Sequence, residues 1–262
     1  MRRIENIALN YSVELLFIEN PVFDNNTLLK ALNTSFNNVD ILFSTQNIIS
    51  FVFNDYKSLT ENVEIPVQIL VIKEYDKLNF VKLKNSLDQT FDWEEAKDIV
   101  DKCNYSLVIS DFMATELNYS DRIYLFNKFL KTILQILPVK AIHWSYSQKI
   151  VEPKDYKSAL DYESLYSLYG IINVRYFIVD NFYVMDTIGL SALGLPDLQC
   201  KFKNIDTGII ATILYDLAYK IFEKGDYIED TEIMEIFKIK FKCVHELSKT
   251  KPQRIVLNLI II

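Results

Sequence analysis

The sequence predicts an α+β fold with mixed, mainly antiparallel sheets and helices packed on one side of them. Short apolar runs rich in β-branched and aromatic residues alternate with segments whose apolar residues recur every three or four positions. Two strand-like runs, 171–179 and 182–187, are separated by Asp180 and Asn181, which favour a tight hairpin turn. With 262 residues, 50% of them hydrophobic, the chain can bury a large core.

The first part of the chain is predicted to run strand, helix, three strands and a helical region. We expect strands at 11–18, 39–43, 48–53 and 65–72, because each is a short apolar run bounded by Asn or Asp. A helix is expected at 26–36, where Leu28, Leu29 and Leu32 share one face. Helical periodicity returns over 77–102.

The same order of elements recurs in the second part. A strand at 105–112 precedes a helix that we expect Ser120 to cap and Pro138 to end. A strand at 139–146, a surface helix at 155–169 and the hairpin follow, then a helix capped by Asp206 or Thr207 and ended by Gly225. This order predicts an internal duplication of a β-α-β-β-β-α unit. Because no Gly-rich or Pro-rich linker divides the halves, we expect 1–102 and 103–262 to pack as one rigid body.

Two strands are predicted to close the chain. Residues 237–243 alternate strictly between apolar residues and Lys238, Lys240 and Lys242, which indicates a half-buried strand. Lysines on the solvent face of an edge strand could bind an anion, but they more often prevent strand-to-strand aggregation. The run 254–262 is predicted to be a buried strand.

The glycines locate a structural turn. All five lie at or after position 170, and two of them, Gly189 and Gly194, occur within one segment that ends at Pro196. Glycine is used where the backbone needs a positive φ or a close approach. We therefore expect Gly189, Gly194 and Pro196 to form a tight crossover between the hairpin and the last helix.

Charge and composition narrow the class of protein. A formal charge of −7 and a pI near 5.0 argue against a nucleic-acid partner and favour a basic or neutral protein surface. The apolar runs are too short to span a bilayer, and we expect no secretion signal and no membrane contact. Three widely separated cysteines, Cys103, Cys200 and Cys243, indicate buried thiols in a cytoplasmic protein.

Four residues are weak catalytic candidates. His143 and Ser145 lie two positions apart on a predicted strand, so they should share a face, but no G-x-S-x-G elbow is present and a buried structural histidine is the simpler interpretation. Asp111 and Glu116 follow a central strand and could act as an acid and a base, or they could simply terminate the strand.

Metal binding is not predicted, and neither is a cofactor. The only two histidines are His143 and His245, and the latter is expected at the surface. The acidic cluster after Gly225 lacks the spacing of a calcium loop and is better explained as a solvated loop. Its members are Asp226, Glu229, Asp230, Glu232 and Glu235.

The two tryptophans are candidates for binding a partner. Trp93 lies at the acidic start of a predicted amphipathic helix, and Trp144 follows His143. Aromatic residues in such places anchor either internal packing or a partner protein, and packing is the default.

Several motifs, taken in order, resemble a bacterial family described as domain of unknown function 4261, a cytoplasmic α+β family without an established activity. The resemblance extends over roughly 65–260, and a glycine expected before Asp230-Thr231 is replaced by Glu229. The matching positions are Gln89-Thr90-Phe91-Asp92-Trp93 with Ala96, Leu107-Val108-Ile109-Ser110, Arg122 with Leu125 and Phe126, His143-Trp144-Ser145 with Ser147-Gln148, Pro153, 187–198 and 214–219.

Two hypotheses about function follow. The first is a non-catalytic cytoplasmic binding protein, such as an immunity or adaptor protein linked to a bacterial toxin or secretion system. The alternative is a hydrolase-like enzyme with carboxylates and His143 in a cleft between the halves. The sequence favours the binding protein, with a protein partner and an undefined oligomeric state, because it is acidic and poor in catalytic motifs.

Overall fold

The computed structural model describes residues 7–60, 62–74, 78 and 80–262 and shows an α+β fold with two mostly antiparallel sheets. The chain forms two compact units. The N-terminal unit is Leu9–Gly170, and the C-terminal unit contains Ile171–Ile262 together with Ile7 and Ala8. The division differs from the expected boundary at 102/103 because the strand that begins at Tyr105 lies in the middle of the first sheet. Packing as one rigid body stays a prediction.

The N-terminal unit contains a seven-stranded sheet of order β2-β3-β4-β5-β1-β6-β7 in which every neighbouring pair is antiparallel. The strands are β1 (Ser12–Phe17), β2 (Val39–Ser44), β3 (Ile48–Thr60), β4 (Val63–Glu74), β5 (Tyr105–Phe112), β6 (Ala141–Trp144) and β7 (Lys149–Val151). Its helices are α1 (Asn25–Ser35), α2 (Phe80–Asp88), α3 (Ala96–Val100), α4 (Tyr119–Ile133) and α5 (Pro153–Tyr162).

Helices cover both faces of this sheet, which corrects the expectation of one-sided packing. Trp144 packs against Phe126 of α4 with ring centroids 6.2 Å apart, whereas the preceding His143 contacts Ser86 of α2. Successive strand residues point to opposite faces, so α4 and α2 lie on opposite sides. The sheet is covered on both faces because its central strands are apolar on both. In β1, the consecutive residues Leu15 and Leu16 point to opposite faces and are both fully buried.

The C-terminal unit contains a six-stranded sheet of order β11-β12-β13-β10-β9-β8, in which β10 and β13 are parallel and the other pairs antiparallel. Helix α6 (Thr207–Lys224) packs on β8, β9 and β10. As predicted, Asp206 caps it by accepting from the amide of Ile209, and Gly225 follows its last turn with a φ of 79°. The strands are β8 (Asn173–Val179), β9 (Phe182–Ile188), β10 (Asp197–Phe202), β11 (Ile233–Ile236), β12 (Ile239–Leu247) and β13 (Ile255–Ile261).

The proposed duplication is not confirmed. Strands β5, β6 and β7, which belong to the second predicted repeat, pair into the sheet formed by β1 to β4 of the first. The two repeats therefore do not fold as separate units. Element order alone could not reveal this, because pairing between β1 and β5 joins residues nearly a hundred positions apart.

Three local boundaries also differ from the predictions. Asn118, not Ser120, caps α4, and its side chain accepts from the amide of Ser120. The predicted helix 77–102 starts outside the described residues and its described part is split into α2 and α3. The expected surface helix 155–169 is shorter, because α5 ends at Tyr162.

The three cysteines are buried, as the sequence predicts. Cys103, Cys200 and Cys243 are free and buried, and burial raises the pKa of each thiol, to about 12 for Cys200. No α-helix within the described part of the chain combines the length and apolar character that crossing a bilayer requires.

Candidate functional site

His143 contacts two polar side chains from distant parts of the N-terminal unit. Its Nδ1 lies 3.2 Å from Oε2 of Glu14 on β1, and its Nε2 lies 3.0 Å from the hydroxyl of Ser86 on α2. A carboxylate can only accept, so the proton of the neutral ring belongs on Nδ1 and Ser86 donates to Nε2. This is the arrangement of nucleophile, base and orienting carboxylate that serine hydrolases use.

The order of burial, however, is the reverse of a working hydrolase site. Ser86 is 2% exposed, the His143 side chain 8%, and the Glu14 side chain 20%. A nucleophile must approach a substrate within bonding distance, and here it is the least accessible of the three. The contacts therefore hold α2 against the sheet, and His143 is a buried histidine with both nitrogens satisfied.

The other catalytic candidates do not join His143. Ser145 is exposed in the turn after β6, so the expected shared face with His143 is wrong because the strand ends at Trp144. Asp111 forms a buried bidentate ion pair with Arg122, at 2.6 and 2.9 Å, and accepts from the amide of Tyr11. Glu116 is exposed. Asp111 thus has a structural role, tying α4 to the start of β1.

Neither tryptophan forms an exposed anchor. Trp144 is 1% exposed and packs against Tyr11, Phe126 and Tyr156, which contradicts a role in contacting a partner. Trp93 is half-buried and packs against the core cluster that contains Leu16. Internal packing, the default interpretation, accounts for both.

The glycine segment is a tight turn of the C-terminal unit. Gly189 has a φ of 132°, and a Cβ built on it would lie 2.0 Å from the carbonyl oxygen of Ile171. A single 3₁₀ turn, Leu190–Leu193, follows, and Gly194 ends it in the left-handed conformation with a φ of 79°. Pro196 is buried directly before β10. Any residue other than glycine at position 189 would therefore be strained and would clash with the backbone of Ile171.

A fully buried network of charges anchors this turn. Arg175 pairs with Asp186 at 2.7 Å, and Arg254 bridges Asp186 and Asp197 at 2.8 and 2.9 Å. Asp197 in turn accepts from the amide of Leu190, 3.0 Å away. All four charged residues are at most 2% exposed. Two cations balance two anions, so no net charge is buried, which is the condition for such a network to be tolerated.

Part of this network could have been found in the sequence. A two-residue turn at Asp180-Asn181 places Arg175 directly opposite Asp186, and the structure has that register. An opposite-charge pair facing each other in an apolar hairpin indicates a buried ion pair. Arg254 gave no comparable signal, because β13 reaches β10 only through the sheet order.

His245 is enclosed by the acidic loop, which corrects its expected surface position. Its side chain is 6% exposed, with Nε2 3.1 Å from Asp226 and Nδ1 2.8 Å from Asp230. The hydrogen bond to Asp226 raises the pKa of His245, burial opposes that rise, and Asp230 adds to it. Two residues of the acidic cluster, Asp226 and Asp230, therefore contact His245. Among the residues that the structure describes, no group of three or more potential ligands could hold a metal ion.

This histidine predicts a pH dependence of stability. Because the pKa is higher in the folded state, the charged contacts stabilise fully below the unfolded value of about 6.5 and are lost as the pH rises through the folded value. We expect His245→Gln to lower the free energy of unfolding by about 1.5–3 kcal/mol at pH 5.5 and by less at pH 8.5. Urea titrations at both pH values check this; an equal loss at both would contradict it.

An exposed surface that combines lysines with large apolar side chains lies on strands β11, β12 and β13 of the six-stranded sheet. We call it the lysine face. Ile233, Lys242 and Ile260 form one row across β11, β12 and β13, and their alternation places Lys240 on the same side. Ile233 is 63% exposed and Ile260 39%. The face consists of Ile233, Lys240, Lys242, Ile260 and the adjoining turn residues Phe237 and Lys238.

The turn at Phe237-Lys238 has an unusual composition. The expected strand 237–243 in fact begins at Ile239, and the two preceding residues form a two-residue hairpin turn with φ values of 51° and 62°. Glycine and asparagine normally occupy such positions, because other side chains are strained there. Phe237 is nevertheless 60% exposed. An exposed aromatic residue at a strained turn is poorly explained by folding alone.

The lysines also do not protect a sheet edge. Strand β12 lies between β11 and β13, so Lys240 and Lys242 point away from an inner strand. Protection against aggregation requires charges on the edge strand itself, which is β11. Across β11, Glu235 lies opposite Lys240, whereas the residue opposite Lys242 is the uncharged Ile233. The lysine face therefore carries a net positive charge on an acidic protein.

Comparison with known families adds one finding. The family model described as Domain of unknown function (DUF4261) matches residues 186–260. This region contains the glycine segment, most of the buried charge network and the lysine face. No curated protein and no solved structure matches the chain.

Proposed function

Residues 186–260 match the model of the DUF4261 family, and on that premise we propose that the chain is a non-catalytic protein-binding module that docks an acidic partner on its lysine face. The observation that carries the proposal is the exposure of Ile233 and Phe237, 63% and 60%, beside three exposed lysines. Apolar side chains supply binding energy when buried, and the lysines select a partner of opposite charge. In the cell this suits an adaptor or an immunity protein in the cytoplasm, bound to a component of a toxin or secretion system.

The charge of the partner is the reverse of the first expectation. The total charge of −7 favours basic or neutral partners. Short-range contacts depend on the local surface, however, since charges beyond about 8–10 Å are screened at physiological salt. Lys238, Lys240 and Lys242 within one face therefore outweigh the distant carboxylates.

The proposal is tested by a pull-down experiment in which the wild type and two double variants serve as bait. Lys240→Glu with Lys242→Glu reverses the lysine face, and Lys30→Glu with Lys154→Glu makes the same charge change at two exposed positions of the N-terminal unit. We expect the wild type and the control to retain a common protein, identified by mass spectrometry, and the lysine-face variant to lose at least 90% of it. Equal retention by all three proteins would refute the proposal, as would loss of bound nucleic acid or anionic vesicles instead of a protein.

An enzyme is the second candidate, favoured by the contacts of His143 with Ser86 and Glu14. Acyl transfer would require the Ser86 oxygen to bond the substrate carbonyl carbon while its proton passes to Nε2 of His143. A fluorophosphonate reagent tests this directly. An enzyme would give an adduct on the Ser86 peptide of the wild type and of Ser145→Ala, but not of Ser86→Ala. Because Ser86 is closed to solvent, we expect no adduct in any of the three proteins.

A further inference from the structure

Strand β11 is one of the two edge strands of the six-stranded sheet, and we propose that the partner binds by adding an extended, acidic segment to it as a further β-strand. This inference rests on the proposed function and specifies how the partner is held. The added segment would be hydrogen-bonded to the backbone of β11, and its alternate side chains would lie along the lysine face. Addition of a strand to a sheet edge is a common way to bind an extended peptide.

The register of the hairpin shows which backbone groups are available. In a hairpin with a two-residue turn, the residues that flank the turn form a hydrogen-bonded pair, and such pairs alternate along the strands. Ile236 and Ile239 flank the turn, so Met234 and Ile236 direct their backbone groups toward β12. The amide and carbonyl groups of Ile233 and Glu235 therefore point outward.

Three backbone hydrogen bonds of β12 residues support this assignment. The amide and carbonyl of Cys243 bond to Glu232 and Thr231, on the side of β11. The carbonyl of Lys240 instead accepts from the amide of Ile262, on the side of β13. Lys240 and Lys242 therefore bond toward β13, and their partners Glu235 and Ile233 have no backbone bond to β12. Within the described part of the chain, no other backbone group bonds to these two residues.

The edge is poorly protected against such pairing. Natural edge strands carry lysine, proline or a bulge to prevent uncontrolled association. Strand β11 reads Ile-Met-Glu-Ile and pairs with β12 without a bulge. Its single charge, Glu235, faces Lys240 on the neighbouring strand. Strand β11 is short, is unpaired on its outer side among the described strands and lies beside the lysine face. It therefore suits selective binding of one extended segment of the partner.

The geometry also defines the chemistry of the segment. A strand added to β11 would lie about 10 Å from β12, twice the usual spacing of strands. The side chains of Lys240 and Lys242 are long enough to extend toward it across Glu235 and Ile233. Carboxylates at alternate positions would meet these lysines, and apolar residues between them would cover Met234 and Ile236, which are half-buried. The segment that fits is thus an alternation of acidic and apolar residues.

The experiment uses a synthetic hexapeptide of alternating valine and glutamate with blocked ends, added to the 262-residue chain. Amide hydrogen exchange is measured by NMR. We expect the amides of Ile233 and Glu235 to exchange at least tenfold more slowly with the peptide, while those of Met234 and Ile236 change little. The same peptide, N-methylated at the bonding positions, keeps its charge but should give no protection.

A pair of variants separates strand addition from charge attraction. Glu235→Pro removes an outward amide, and an edge strand tolerates proline where the N–H faces solvent; Glu235→Gln keeps that amide. We expect the proline variant to weaken peptide binding at least tenfold relative to the glutamine variant. If the peptide shifts the resonances of Lys240 and Lys242 without protecting Ile233 and Glu235, strand addition is refuted while docking on the lysine face stands. Absence of peptide binding also refutes strand addition, and the bait comparison then decides the proposed function independently.

Discussion

An Arg254→Met protein is expected to unfold with a free energy about 3–5 kcal/mol lower than that of the wild type, the cost typical of removing one partner of a buried ion pair. Arg254 is 2% exposed and donates to Asp186, to Asp197 and to the carbonyl oxygen of Thr187. In the variant, Asp186 still forms its ion pair with Arg175. Asp197, which is fully buried, keeps no cation among its described contacts.

The loss should also depend on pH. Burial raises the pKa of Asp197, and Arg254 opposes that rise. Without Arg254 the folded-state pKa rises further, so the folded variant binds a proton that the unfolded chain releases. The deficit is therefore expected to be largest near pH 8 and to shrink toward pH 5. Urea titrations followed by far-ultraviolet circular dichroism measure this.

A double variant provides the control for this prediction. Asp197→Asn removes the stranded charge while keeping an acceptor for the amide of Leu190. Arg254→Met combined with Asp197→Asn should recover at least 1 kcal/mol relative to the single variant, because neighbouring members of one network are not additive. A single-variant loss below 1 kcal/mol would contradict the central role of Arg254.

The second large effect is expected at Gly189. A Gly189→Ala protein should lose about 4 kcal/mol or more, in the range of the most severe single substitutions. The new Cβ would lie 2.0 Å from the carbonyl oxygen of Ile171, and the φ of 132° strains any L residue. The clash is with backbone, so a side-chain movement cannot relieve it. Gly189→Val should be worse, since it adds two methyl groups at the same place.

Gly194→Ala is the matched control within the same turn. Gly194 is in the left-handed conformation, and the nearest atoms to its built Cβ belong to the flexible side chain of Ile7 at 3.1 Å. We expect a loss of about 1–2 kcal/mol, the cost of a left-handed residue. Thermal unfolding of the two variants gives the comparison. If Gly189→Val stays fully folded and loses partner binding, the turn is a binding site and its structural assignment is wrong.

The elements that depend on near neighbours were predictable from the sequence. The hairpin turn at Asp180-Asn181, the Asp206 cap of α6 and the tight turn at Gly189 each require only a few adjacent residues. The register of that hairpin also brings Arg175 opposite Asp186. In all these cases the backbone preference and the hydrogen bonds lie within about a dozen residues.

The candidate site was only partly predictable. Alternation showed three lysines at 238, 240 and 242, but the strict pattern concealed that Phe237 and Lys238 form a strained turn. The lysines do not protect an edge because β12 lies inside the sheet, and the proposal of a binding face depends on that position. Strand order is a property of the whole domain, so the period of one strand cannot reveal it.

By itself, the sequence determined the α+β class, the family resemblance, the three buried thiols and the turn that only glycine can form at 189, because composition, period and local backbone preference act over short distances. Tertiary structure alone decided which polar groups meet. Glu14, Ser86 and His143 are separated by 57 positions or more, as are Arg254 and its partners Asp186 and Asp197. Their contacts depend on sheet order and on helices covering both faces, and these follow from burying the whole apolar surface at once.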